Sequence, residues 1–303
     1  MKQIDYCMPD ALKYYNPRKV RTTTSQKTIV KKENTGSSTI PESKPVRSST
    51  AATTTTTPTN TVKAPSSQGA VKSNQKRIAL IIGNGGYSSG RLANPVNDAN
   101  DLRKKISSLG FETIARTNCN LQGMMEDISS FCKKAKQYDV ALFFYAGHAF
   151  QDQGVNYLVP INAIIDSRAD IEFQCVSLNW ILRKMEEVGV NTKIIILDAC
   201  RDNPIAQAWE RGMTAEGLSA MGSVPQGTFL VYSAQAGKKA KDGEGQRNSP
   251  YTSALLKFLD TPMLPIHELF RQVRNEVARK TNNEQVPSQT DNLLGDFYFN
   301  TKK

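Results

Sequence analysis

Two apolar runs in this 303-residue chain each deliver a residue that can do chemistry. In YAGHAF, Tyr145 to Phe150, that residue is His148; in LDACRDNP, Leu197 to Pro204, it is Cys200. A thiol becomes nucleophilic at neutral pH when a base takes its proton, and imidazole is the usual base. The chain has two histidines, and the other, His267 in LPIHELF, lies off the apolar face of its helix and reads as a surface residue. Taken singly, Cys200 reads as a buried core thiol and His148 as a hydrogen-bonded loop residue. Their shared place just past apolar strands, each in polar or glycine-rich surroundings, favours a nucleophile and its base.

The elements that must position this pair follow from periodicity. Arg77–Gly83, Phe111–Arg116, Asp139–His148, Thr192–Ala199 and Gly227–Ala234 read as strands, and Asn156–Ile161 as a short hairpin piece. Between and after them, helical patterns cover about 95–109, 121–137, 178–188, 251–259 and 266–280. In the last of these, Ile266, Leu269, Phe270, Val273 and Val277 share one face. DFYFN, Asp296 to Asn300, reads as a closing strand, and 201–226 as irregular. Continuous apolar strands alternating with amphipathic helices predict an α/β fold, a mostly parallel sheet covered on both faces. In such folds chemistry gathers beyond the carboxyl ends of the strands.

Composition divides the chain at residue 76. Residues 1–76 hold 13 of the 39 Lys/Arg and 4 of the 28 Asp/Glu, which is +9 of the net charge of +11. This Ser/Thr-rich segment, with SSTAATTTTTPTNTVKAPSSQG at its centre, has little to bury and is expected to be disordered. Residues 77–303 are nearly neutral, so the basic balance is no argument for a nucleic-acid-binding fold. No apolar h-region follows the start and no run reaches the length of a membrane span, so no membrane partner is expected. Five cysteines without a C-x-x-C pair suggest reduced thiols and a cytoplasmic setting. No metal or organic cofactor is expected, since two histidines are too few for a Cys/His zinc site. The loop GNGGYSSG, Gly83 to Gly90, has Ser88 where a dinucleotide fingerprint needs its third glycine, and no Walker lysine follows. It reads instead as a tight turn leading toward the site.

The order strand–YAGHA–strand–LDACRDNP resembles the caspase-like cysteine peptidases, a group of caspases, metacaspases, paracaspases and bacterial relatives, over about Arg77 to Asn300. The resemblance implies a three-layer α/β/α sandwich with a mostly parallel six-stranded central sheet. It makes Cys200 the nucleophile and His148 the general base and acid, with the backbone N–H groups of Ala149 and Cys200 holding the oxyanion. Ala149 departs from the glycine usual after the histidine, which matters only if that turn needs a positive φ.

The same resemblance implies a specificity. Where caspases carry an arginine for a P1 aspartate, NPVNDAND offers Asp98, as metacaspases and paracaspases offer an acid. Asp198 matches the second acid of a basic-P1 pocket. YSAQAGKKAKD aligns without gaps to the paracaspase pattern and puts Asp242 at the third. Singly, each acid reads as a surface or capping residue, and Asp98 could serve a helix start. Three on three separated loops are hard to explain as one solvated face. The expected activity is cleavage of protein or peptide substrates after Arg or Lys. Self-cleavage is conceivable at Asn16–Arg21, near Arg211 or in Gly237–Arg247. A catalytically silent scaffold of the same fold is the alternative, and retention of both His148 and Cys200 argues against it. Calcium dependence and a homodimer through the last strand stay open, and Arg201 has no role beyond an ion pair.

Overall fold

The computed structural model describes residues 75–200, 218, 220–235, 240–243 and 245–302, and of Cys200 the backbone. β1 (Arg77–Gly83) is buried along its whole length, as a strand covered on both faces should be. α1 (Pro95–Ser108) follows, with Pro at its first position, and then β2 (Phe111–Thr117) and α2 (Leu121–Ala135). The Asn120 side chain caps α2 by accepting the Gly123 N–H at 2.8 Å. β3 (Val140–Asp152) is the longest strand and turns back into β4 (Val155–Leu158). A 3-10 turn at Arg168–Asp170, the short α3 (Ile171–Gln174) and β5 (Val176–Ser177) lead to α4 (Leu178–Glu187) and β6 (Thr192–Cys200). After β7 (Thr228–Tyr232) come α5 (Pro250–Phe258), α6 (Ile266–Lys280) and β8 (Ser288–Asp291).

The central sheet runs β2-β1-β3-β6-β7-β8. All neighbours in it are parallel except β7 and β8, while β4 and β5 form an antiparallel extension on β3. Alternate strand residues bury on opposite faces. Ile78, Leu80 and Ile82 pack against Met124 and Phe131 of α2 and Ile181 of α4. Ala79 and Ile81 pack against Leu102 of α1, Leu255 of α5 and Phe270 of α6. The result is the expected three-layer α/β/α sandwich with a six-stranded, mostly parallel sheet.

Two expectations need correction. DFYFN is not a strand; it touches the β-structure at a single bridge, Pro265↔Tyr298. Its aromatics serve packing instead. Phe297 and Phe299 are buried, and the buried Arg77 guanidinium donates to the carbonyls of Phe299 (2.8 Å) and Tyr298 (3.0 Å) while lying over the Phe111 and Phe297 rings. The closing strand is the polar SQTD of β8, which pairs on one side only and so needs no apolar signature. Second, His148 does not end its strand. β3 continues four residues past it, so the histidine stands where β3 outruns β1, whose last pair is Gly83↔Ala146.

Candidate active site

The parallel register of β3 and β6 sets His148 directly beside Cys200, the last pair of that ladder. Both stand at the carboxyl edge, where β1 has already ended and its loop crosses over. That loop is pinned by Asn118, held at φ 54°, whose side-chain oxygen accepts the N–H of Gly85 (3.0 Å) and of Gly86 (2.8 Å). It brings the Gly90 carbonyl to 2.5 Å from His148 Nε2. A carbonyl only accepts, so Nε2 carries the proton and the neutral ring keeps its lone pair on Nδ1. His148 is itself buried, at 2% exposure.

Ala149 is not among the non-glycine residues with positive φ, so the condition that would compromise its N–H is not met. Along β3–β4 the hydrogen-bonded pairs alternate, and Val159 N–H donates to His148 O. The His148 carbonyl is thus bonded on the β4 side, while its N–H donates to the Tyr87 hydroxyl.

The neighbouring Gly147 has φ +154°, and a Cβ there would sit 2.7 Å from the hydroxyls of both Tyr87 and Tyr145 and 3.0 Å from Asn84 O. Gly147→Ala is expected to cost about 2–4 kcal/mol by overpacking and backbone strain. Thermal unfolding reads this directly, and an unchanged melting temperature would contradict it.

Two of the three acids, Asp98 and Asp198, come together around one serine. Ser249, buried, caps α5 by accepting the Thr252 N–H at 2.8 Å. Its own N–H donates to Asp98 Oδ1 (3.1 Å), and its hydroxyl donates to Asp198 Oδ2 (2.5 Å). Thr252 Oγ1 adds a second hydroxyl on Asp198 at 2.7 Å. Asp98 and Asp198 are 1% and 6% exposed. Asp242 is placed differently. Its carboxylate accepts the N–H of Ala93 (2.7 Å) and of Asn94 (3.4 Å), and the Asn94 amide donates back to the Asp242 and Gly243 carbonyls. Asp242 thus latches its loop onto the start of α1, where a carboxylate is favoured, and takes the helix-start role that Asp98 offered in sequence. It remains near enough for its charge to raise both other acids.

Burial, then the charge of Asp198, pushes Asp98 up to about 9, against opposing hydrogen bonds from Asn248 and Ser249. Burial pushes Asp198 up to about 6, opposed by the hydroxyls of Ser249, Thr252 and Ser233. Near neutrality the pair holds one proton, on Asp98. The stability linked to that proton is whole below the ordinary value of 3.8 and is lost as pH rises through about 9. From pH 6 to 9 the folding free energy should fall by about 1 kcal/mol per pH unit. Urea unfolding of Asp98→Asn should lose that slope; an equal slope in both proteins would refute the assignment.

His267 is part-exposed, with its Nδ1 3.3 Å from an Asp291 carboxylate oxygen and its ring edge-on to Phe229. Arg201, Arg211 and Asn16–Arg21 lie outside the described residues. Among the described residues no group of three His, Cys, Asp or Glu is placed to hold a metal ion, and no helix is long and apolar enough to cross a membrane. Sequence reasoning missed the Gly90 carbonyl, which as a backbone group has no side-chain signal. It also missed Ser249, although Ser-Pro before an apolar helix is a readable cap.

The family described as the caspase domain matches residues 76–298. The human mucosa-associated lymphoid tissue lymphoma translocation protein 1 is 26% identical over 126 residues, 41% of this chain. Its homolog from Mus musculus is 26% identical over the same length. This chain spans 15% of the length of either relative.

Proposed function

This chain belongs to the caspase-domain family, and from that membership we propose that it is a cysteine endopeptidase cutting after Arg or Lys. The observation that carries the specificity is the pair of buried carboxyl groups, Asp98 and Asp198, joined through Ser249, with Asp198 two residues before Cys200. A P1 guanidinium or ammonium would meet net negative charge there. A P1 aspartate would meet like charge, at a cost of several kcal/mol.

In the reaction His148 Nδ1 takes the thiol proton of Cys200 while Nε2–H stays on Gly90 O, which fixes the tautomer and stabilises the imidazolium. The thiolate adds to the scissile carbonyl, and the N–H groups of Ala149 and Cys200 receive the oxyanion. The tetrahedral intermediate collapses as His148 returns its proton to the leaving amine. Water, activated by the same ring, releases the acyl group from sulfur. The chemistry draws on no metal or organic cofactor.

Bringing a cation to Asp98 favours its ionised form, so substrate binding would release a proton, and KM for a P1-Arg peptide would fall as pH rises toward 9.

The Arg247 contacts speak against self-processing after that residue. That guanidinium is held on Asp101 at 2.7 and 2.8 Å, and the next two residues are tied to the acids and to α5. Cutting after Arg247 would put a new, charged N-terminus at Asn248, one residue before the serine that caps α5 and bonds Asp98 and Asp198.

A peptidyl electrophile with P1 Arg, followed by peptide mapping, tests the proposal. Alkylation of Cys200 by the Arg reagent and not by its P1-Asp counterpart is expected. Equal labelling by both, or labelling spread over other cysteines, would refute it.

A further inference from the structure

Resting on that reading of His148, we propose that Tyr87 is a positioning residue for the imidazole, acting with Tyr145 to fix the backbone and the ring of His148 together. The two tyrosines reach the histidine from different elements, Tyr87 from the loop after β1 and Tyr145 from β3 itself. The Tyr87 hydroxyl oxygen accepts the His148 N–H at 2.9 Å and lies 3.1 Å from the Tyr145 hydroxyl and 3.1 Å from Val159 O. The Tyr145 hydroxyl lies 2.9 Å from both His148 O and Val159 O.

The two phenols supply two protons, and the neighbouring carbonyls of His148 and Val159 can take both. The His148 peptide groups are thereby gripped on either side of its Cα: its N–H by Tyr87, its carbonyl by Tyr145 and by the Val159 N–H at 3.0 Å. Tyr87 is 8% exposed and Tyr145 fully buried, so water does not compete for these bonds. The hydroxyls also occupy the space a Cβ on Gly147 would need, which ties the glycine before the histidine to the same bracket.

Tyr87 additionally lays its ring against the imidazole, with centroids 4.4 Å apart and planes at 50°. A ring at that distance favours the imidazolium over the neutral form, the state that must last until the amine departs. The Gly90 carbonyl and the Tyr87 ring come from one loop, so the residues that set the tautomer and those that support the charge move as a unit. Nothing in the chemistry brings Tyr87 to the substrate, so it acts through His148.

The test uses the full-length chain with histidine isotopically labelled, since its only two histidines give two sets of ring signals and His267 serves as the internal reference. In Tyr87→Leu the ring-current contribution is gone, so the His148 ring protons move downfield. Its titration midpoint falls by about half a pH unit, and His267 stays put. With a P1-Arg peptide, kcat falls roughly tenfold while KM changes less than twofold, and the acid limb of kcat/KM moves to lower pH. Tyr87→Phe keeps the ring and loses the hydroxyl, so the midpoint stays and kcat falls by a smaller factor. It remains usable should the leucine variant not fold, because kcat equal to wild type would then overturn the bracket. Unchanged His148 signals and midpoint in a folded Tyr87→Leu protein would overturn the proposal. The nuclear magnetic resonance readout does not need turnover. A shifted midpoint in a protein that cleaves nothing would therefore uphold the positioning of His148 and defeat the peptidase reading separately.

Discussion

Replacing His148 with alanine is expected to lower kcat/KM for a P1-Arg peptide by about 10³–10⁴-fold, with most of the loss in kcat. In the proposed reaction the imidazole serves twice, drawing the proton from Cys200 and returning it to the leaving amine, and among the described residues the nearest hydroxyls are those of Tyr87 and Tyr145. Tyr87 and Tyr145 have phenols raised or committed to carbonyls; burial pushes Tyr145 well above its ordinary value, so neither substitutes. Among the described residues the other thiols offer no detour. Burial raises Cys119 to about 11 and Cys132 and Cys175 to about 12, leaving them protonated and inert at neutral pH. Steady-state kinetics with parallel thermal unfolding checks this, and activity within tenfold of wild type would require another base.

The second large effect belongs to the specificity pocket. Asp198→Asn should reduce kcat/KM for P1 Arg and Lys by about a hundredfold or more, the scale for removing one partner of a buried, hydrogen-bonded charge pair. Burial and its neighbours hold Asp98 toward its protonated form more strongly than Asp198, so losing Asp198 would remove the larger attraction that the proposed pocket offers a P1 cation. Asp98→Asn should then be the milder change at pH 6.5 and grow more damaging toward pH 9, as the wild-type carboxyl ionises. Measuring both variants across that range separates the two acids. Equal losses at every pH would mean that they do not share the proton as assigned.

Much of this was legible before any coordinates. Continuous apolar strands announced a sheet covered on both faces, and the register of β3 and β6 sets side by side the His148 and Cys200 that their sequence surroundings had singled out. The acids Asp98 and Asp198 could be picked out because the residues around them resemble a basic-P1 pocket. What was not legible depends on pairing between distant segments. SQTD is polar because β8 is bonded on one edge only, so its strand character lies in β7 rather than in itself. DFYFN alternates aromatics like a strand, yet Arg77 and the face formed by α6 claim those rings. The resemblance points to Asp242 as a third pocket acid, while its bonds to the N–H groups of Ala93 and Asn94, at the start of α1, join segments 148 residues apart and have no local signal. The Gly90 carbonyl that orients His148 is a backbone group, and only the folded loop reveals it.

The central claim is a Cys200–His148 peptidase with an acidic S1 pocket, and fluorogenic peptides with Arg, Lys or Asp at P1 test it most directly. Wild type and Cys200→Ala would be assayed side by side, with and without calcium. Turnover of the Arg and Lys peptides that disappears in Cys200→Ala is the predicted result. Turnover of the Asp peptide in its place would contradict the pocket, and turnover that survives in Cys200→Ala would contradict the nucleophile.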